Sequence, residues 1–236
     1  AKLGDKNFFK LPEPIINRAG CNLSFAGLKT AVLRESKKIN KEDKLKFNLA
    51  ASFQNTINKD LADVLGNFIA RVTKFSIAKF GDKIPINNEF GDLENKTIDE
   101  IIKHYEAYNH FMKKIEIRKA SRELRNIWVI GNEYLQKAQP WAIFKSDENK
   151  TKMIIGFSFN LIYLYSLISD PFIPSSCKTI RKHFGFTKES IWPKNLDFFL
   201  RKTYHDHYLT PLDILFPKIT DNEKECFRDK YSGSKL

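Results

Sequence analysis

From residue 58 onward, the apolar residues of this chain recur at helical spacing, and that period limits the fold more than any other feature. Leu61, Val64, Leu65, Phe68, Ile69, Val72 and Phe75 fall on one stripe of a helix expected over about 58–80. Thr97 with Glu100 three residues later reads as a capping box opening a second helix, which buries Ile101, Ile102, Tyr105, Tyr108 and Phe111. A third is expected over about 117–137, with Leu124, Ile127, Trp128, Gly131 and Leu135 on one face and Pro140 stopping it. Ser146 or Asp147 caps a fourth that runs to Ile168 with an almost wholly apolar face, and a short fifth covers about 175–183 before an irregular tail. No alternating strand pattern and no internal repeat interrupts this series. The expected architecture is an all-α, antiparallel helical bundle over about 58–190.

The first 56 or so residues behave differently. Pro12, Pro14, Gly20 and Gly27 break up the opening, only Leu28 to Leu33 starts a helix-like run, and residues 36–46 form a solvated charge run. Such a stretch is too short and too broken to bury a core of its own. Residues 1–57 are therefore expected to be an extension without an independent fold, and 58–236 to be the helical domain.

Composition excludes several classes. With 20 Phe, 8 Tyr and 3 Trp the chain is no disordered tail. Its three cysteines are far apart and form no CxxC pair, so neither a disulfide framework nor a cysteine zinc site is expected, in keeping with a reducing, cytoplasmic setting. The longest apolar stretch, Ile154 to Ile168, is broken by Gly156, Ser158, Asn160 and Ser166, so no membrane span is expected. The formal charge of +12 invites a nucleic-acid partner. However, 31 of the 40 basic residues are Lys and the chain has 18 Asn, a bias that AT-rich codons produce without any phosphate partner. Split at the change of pattern, residues 1–56 carry 11 basic and 5 acidic groups and 57–236 carry 29 and 23, a surplus of six each. The helical part is only mildly basic.

Catalysis has no visible foothold. There is no nucleophile–base set, P-loop or dinucleotide fingerprint, and no catalytic residue is assigned. His205 and His207 flank Asp206, but without a third ligand they read as a solvated loop and no metal site is assigned. His104 and His110 lie six apart on one helix, on different faces, and His183 sits near a helix end, where the dipole favours it. Two features suit recognition instead. Asn67 and Arg71 are four apart and share a helix face: an amide that donates and accepts, with a planar guanidinium fork, or simply the polar stripe of an amphipathic helix. Pro140 and Trp141 follow a helix end, where the indole is either a stacking platform for an unpaired base or a staple into the core.

The wording of these stretches resembles a known family. Asn58 to Arg71 (NKDLADVLGNFIAR) and Asn126 to Trp141 (NIWVIGNEYLQKAQPW) are similar to the anticodon-binding domain of methionyl-tRNA synthetase, and Asp170-Pro-Phe-Ile-Pro174, Trp192-Pro193 and Leu215 to Ile219 continue the resemblance in order. It covers about 58–233 and implies a bundle of the class I synthetase anticodon-binding type. It also implies tRNA contacts at Asn67, Arg71, Pro140 and Trp141: the ring stacking near the first anticodon base, a cytosine, and the polar pair reading its edge and the adjoining backbone. The implied partner is a methionine tRNA, with a separate catalytic half as a further one. The HIGH-type and KMSKS-type signatures of the ligase's catalytic part do not occur here, so ATP is a cofactor of the intact family and none is expected in this chain. Whether the chain has enzyme activity is left open.

The opening stretch has another resemblance. Phe9 to Pro14, Arg18 to Thr30 with its phrase SFAGLKT, and Ala50 to Gln54 are similar to an internal segment of the tRNA threonylcarbamoyladenosine transferase family, once called O-sialoglycoprotein endopeptidases. That family's iron-binding HxxxH and glycine-rich nucleotide loops are missing. The resemblance implies a fragment of a modifying transferase over about 1–56, or a fusion with no activity of its own.

Overall fold

One helix, Glu148–Ile168, is apolar nearly all round, and the other elements exist to cover it. The computed structural model describes residues 4–11, 24–39, 45–49, 52, 61–86, 89–186, 192–202, 209 and 215. In chain order the helices are α1 (Ser24–Lys38), α2 (Asn67–Phe80, entered through a π-helical turn at Leu61–Gly66), α3 (Asp92–Lys113), α4 (Ile117–Ala138), the single turn α5 (Pro140–Ile143), α6 (Glu148–Ile168), α7 (Pro174–His183) and α8 (Leu196–Arg201). The result is all-α, with no β-strand among the described residues. By length and composition alone α6 is long and apolar enough to cross a membrane, but 89% of its apolar window is buried inside the bundle, which accounts for its composition. Its start is set by Asp147, whose carboxylate accepts the Lys150 N–H at 2.9 Å, so Asp147 rather than Ser146 is the cap.

Helices α3 and α4 form an antiparallel hairpin packed against α6. The hairpin turn puts Ile115 at φ 58°, a left-handed conformation that is costly for a β-branched residue. The Glu116 N–H donates to the Phe111 carbonyl at 2.9 Å and closes the turn. The start of α3 differs from expectation. It begins at Asp92, where the Gly91 N–H donates to Glu94 at 3.0 Å, while Thr97 lies inside the helix and its hydroxyl donates to the Leu93 carbonyl at 2.7 Å. The reason is that Glu94 is buried and also accepts the Tyr134 hydroxyl at 2.9 Å, so this carboxylate joins α3 to α4 while capping the helix.

Helices α4 and α6 approach closely at Gly131. A Cβ on Gly131 would collide with the Tyr165 hydroxyl, which donates to the Ile127 carbonyl at 3.1 Å, and the Tyr165 ring lies 5.5 Å from that of Phe68 on α2. Gly131 thus lets three helices meet. At the entry to α2, the Asn132 amide donates to the carbonyls of Val64 and Trp128, each at 3.1 Å, and ties the π-helical turn to α4. The C-terminal pieces close over α6 by similar bonds: the buried Asn160 amide donates to the Leu200 carbonyl at 2.7 Å and the Lys202 carbonyl at 3.0 Å.

The opening stretch has its own small cluster, separate from the bundle core. Leu11 and Leu49 are buried there, with Phe9, Ala31, Val32 and Ile39 packed against them. The Asp5 N–H donates to Asn48 at 2.7 Å and the Phe9 N–H to Ser52 at 3.2 Å.

Two outcomes follow. Gly131→Ala should lower the unfolding free energy by about 1–3 kcal/mol through overpacking, and a denaturant midpoint equal to that of the unaltered chain would contradict the close contact. Burial, with the nearby Asp170 adding to it, pushes the Cys177 thiol from 9.0 up to about 12, and burial also raises Tyr165 above 10.0. The fold holds these protons more tightly than the unfolded chain does. Stability is therefore fully present below pH 9 and falls as pH rises through 9–12, so the urea midpoint should drop between pH 8 and pH 10.5.

Candidate nucleic-acid interface

The surface where α2 meets the end of α4 brings together three of the four residues singled out from the sequence, Arg71, Pro140 and Trp141. The inner face of α2 is Phe68, Ile69, Val72, Thr73 and Ser76, all buried. That orientation leaves Asn67 and Lys74 exposed and Arg71 half-buried at the edge. Across from Arg71, α4 ends at Gln139, which takes the left-handed conformation, φ 43° and ψ 58°. Its N–H still donates to the Leu135 carbonyl at 3.1 Å, and its own carbonyl accepts the Ala142 N–H at 2.9 Å. The reversal therefore leaves neither backbone group of Gln139 unpaired. Pro140 follows as the first residue of α5, where its fixed φ and missing N–H cost nothing.

This turn separates two neighbours. Pro140 is buried against the bundle, while Trp141 is 44% exposed. The Arg71 guanidinium carbon lies 4.9 Å from the centre of the Trp141 ring, a cation–π pair. Together with Val72, Lys74, Phe75, Leu135, Pro140 and Ile155 they line an open cleft of about 560 Å³. Pro140 packs into the bundle, while the Trp141 indole stays at the rim. In the polar pair, Arg71 faces the cleft, while Asn67 lies one turn earlier on the exposed side and is not among the lining residues. The cleft has an apolar floor, a ring and a guanidinium at its mouth, and lysine beside it. It can take a flat, electron-rich group carrying negative charge.

Sequence reasoning passed over Gln139, Lys74, Phe75 and Ile155. The helix-end Gly that usually marks a left-handed cap is absent, so Gln139 carried no signal. Phe75 was read only as core, although its four-residue spacing from Arg71 already placed it on the same edge. The histidines fall elsewhere. His104 pairs with the buried Glu123 at 2.7 Å, and the His110 ring contacts Phe111 at 5.5 Å. His205, Asp206 and His207 lie outside the described residues. Among the described residues there is no group of three or more His, Cys, Asp or Glu placed to hold a metal ion.

Comparisons with known proteins identify the family. The family model described as the anticodon binding domain of methionyl tRNA ligase matches residues 84–236. Methionine–tRNA ligases are similar over most of the chain: that of Cereibacter sphaeroides (strain ATCC 17025) is 43% identical over 182 residues, 77% of this chain and 32% of the relative. Those of Ruegeria sp. (strain TM1040) and Paracoccus denitrificans are 40% and 41% identical over 184 and 182 residues. The chain spans about a third of the length of these relatives. Among solved structures, Mycobacterium tuberculosis methionyl-tRNA synthetase bound by methionyl-adenylate has a TM-score of 0.55 at 20% identity, over 70% of this chain and 33% of that one. Its free form gives 0.57 at 21% identity, over 72% and 34%, a likeness of fold. The fold is that of an all-α anticodon-binding bundle. The chain belongs to the family of the anticodon-binding domain of methionyl tRNA ligase. A second family model, tRNA N6-adenosine threonylcarbamoyltransferase, matches residues 1–136, well past the expected limit near 56. The two matches overlap at 84–136. A single stretch of 182 residues in a chain of 236 necessarily includes 55–182, so the ligase likeness takes in α2 to α6.

The left-handed turn is open to test. Gln139→Gly should hold the melting temperature or raise it slightly, whereas Gln139→Ile should cost about 1–2 kcal/mol. Equal melting temperatures for the two would mean that the turn does not require this conformation.

Proposed function

We propose that this chain binds the anticodon loop of a methionine tRNA, with Trp141 as the stacking platform for the first anticodon base, Arg71 and Asn67 as its polar readers, and Pro140 as the anchor of the platform. The observation that carries this reading is an exposed indole with a guanidinium 4.9 Å from its centre at the mouth of a cleft. An unpaired base offers a flat π face for the ring and polar edges for the cation, and its phosphate adds negative charge. Family membership supports the same choice of partner.

In this reading residues 58–236 are the binding domain and residues 1–57 an appended, transferase-like segment. The compartment is the cytoplasm and no membrane is involved. Recognition needs no cofactor or metal. The charge attraction is modest, so selectivity rests on the ring and the polar pair rather than on a broad phosphate field. Ligation would be the work of a catalytic part with ATP, on the same polypeptide or a separate one.

The test is direct binding of the chain to methionine tRNA and to the same tRNA with its first anticodon base changed. The former should bind more tightly, and Trp141→Ala should remove about 1–3 kcal/mol of that binding. Equal affinity for both tRNAs would reduce the interaction to charge attraction. The transferase match over residues 1–136 favours a second reading, a fragment of a tRNA-modifying enzyme. Protection of residues 1–57 by bound tRNA, with α2 and α5 left unprotected, would support that reading instead.

A further inference from the structure

Asn67, Arg71, Phe75 and Lys79 recur every four residues along α2 and form one slowly winding stripe. The proposed contact uses only its first half. The second half repeats the chemistry. The Lys79 ammonium lies 5.1 Å from the centre of the Phe144 ring, on the residue that caps the end of α5, as Arg71 lies over Trp141. Phe75 links the two places: it lines the cleft below Trp141, and its ring is 6.2 Å from that of Phe144 at 90°. Phe80 backs Phe144 from another direction, 5.6 Å away at 74°. Phe144 is thus a fixed, half-buried ring at the far end of the same track.

Among the described residues no carboxylate pairs with either Arg71 or Lys79. The helix dipole explains why a lysine suits the last turn of α2. It does not explain why the ammonium sits over a ring held by two others. From Asn67 to Lys79 the stripe runs about 18 Å at 1.5 Å per residue. Charges along a stacked nucleic-acid strand are spaced about 3.4 Å apart, so the stripe is long enough for more than one nucleotide.

Resting on the reading that Trp141 takes an anticodon base, we propose that Phe144 and Lys79 form a second station, for a nucleotide adjoining that base in the unpaired strand. The base stacks on Phe144, and Lys79 leaves the ring face for the phosphate. The exchange is favourable in magnitude. A base stacked on an aromatic ring is worth more than a cation–π contact at an exposed site. The displaced ammonium also gains a phosphate.

The experiment measures binding of the full chain to methionine tRNA, and to the tRNA with its first anticodon base changed, over a range of salt. Lys79→Gln should make the slope of log affinity against log salt shallower by about 0.7, one single-strand phosphate contact. Phe144→Leu should weaken binding at fixed salt about fivefold or more. In both variants the preference between the two tRNAs should persist, because Trp141 and Arg71 are untouched. An unchanged slope and affinity in a chain that still prefers the normal tRNA would overturn the second station and leave the first contact standing. No preference in the unaltered chain would overturn both. Should Phe144→Leu lower the melting temperature, the slope of the exposed Lys79→Gln variant decides.

Discussion

The contact between Gly131 and Tyr165 governs the rest of the molecule. Helix α6 is apolar on every side and is stable only if other helices close over it completely. Gly131 lets α4 come near enough for the Tyr165 hydroxyl to reach the Ile127 carbonyl, which pairs a buried polar group that would otherwise cost a few kcal/mol. The Phe68 ring fits against the same tyrosine, so the position of α2 follows from it. Once α2 and α4 are set in this way, Arg71 on one and the end of the other must face each other. The arrangement at the surface is a consequence of packing two layers below.

That dependence explains how the local backbone is used. At the end of α4 the chain does not fray but reverses through Gln139, and the buried Pro140 fixes the direction in which Trp141 leaves. At the start of α2 the π-helical turn is tied down by Asn132, which also bonds within α4. Both ends of this surface are therefore bound to the same helix. A site built on rigid elements spends little binding energy on ordering itself.

Much of this was legible in the sequence, and the reasons are specific. The period of apolar residues located α4, α6 and, counted from its π-helical entry at Leu61, α2 within a few positions, because each buries one stripe or, for α6, nearly all of them. The start of α3 was misplaced because Thr97 and Glu100 imitate a capping box, whereas the true cap uses Glu94, whose burial depends on Tyr134 from another helix. Asn67, Arg71, Pro140 and Trp141 were singled out from spacing and family resemblance, but the cleft that Arg71, Pro140 and Trp141 line was not. Ile155 and Leu135 reach it from two helices distant in sequence, and only the closed bundle brings them together. The left-handed Gln139 was illegible for a different reason, since nothing about a glutamine marks it for that conformation.

The balance of charge and apolar surface bears on what kind of binder this is. Residues 57–236 hold 29 basic and 23 acidic groups, and some lysines pair with a carboxylate of their own helix, such as Lys152 with Glu148 and Lys137 with Glu133. Such pairs add little stability, yet they lower the field available to a distant phosphate. Two cations on α2 are placed differently. Arg71 at the mouth of the cleft and Lys79 two turns further along the helix lie over aromatic rings, so their charge is only weakly compensated. A surface of this kind attracts nucleic acid weakly at long range and holds it at a few aromatic positions. It favours selection by stacking and edge contacts over indiscriminate adhesion, as the proposed reading of a single unpaired base requires.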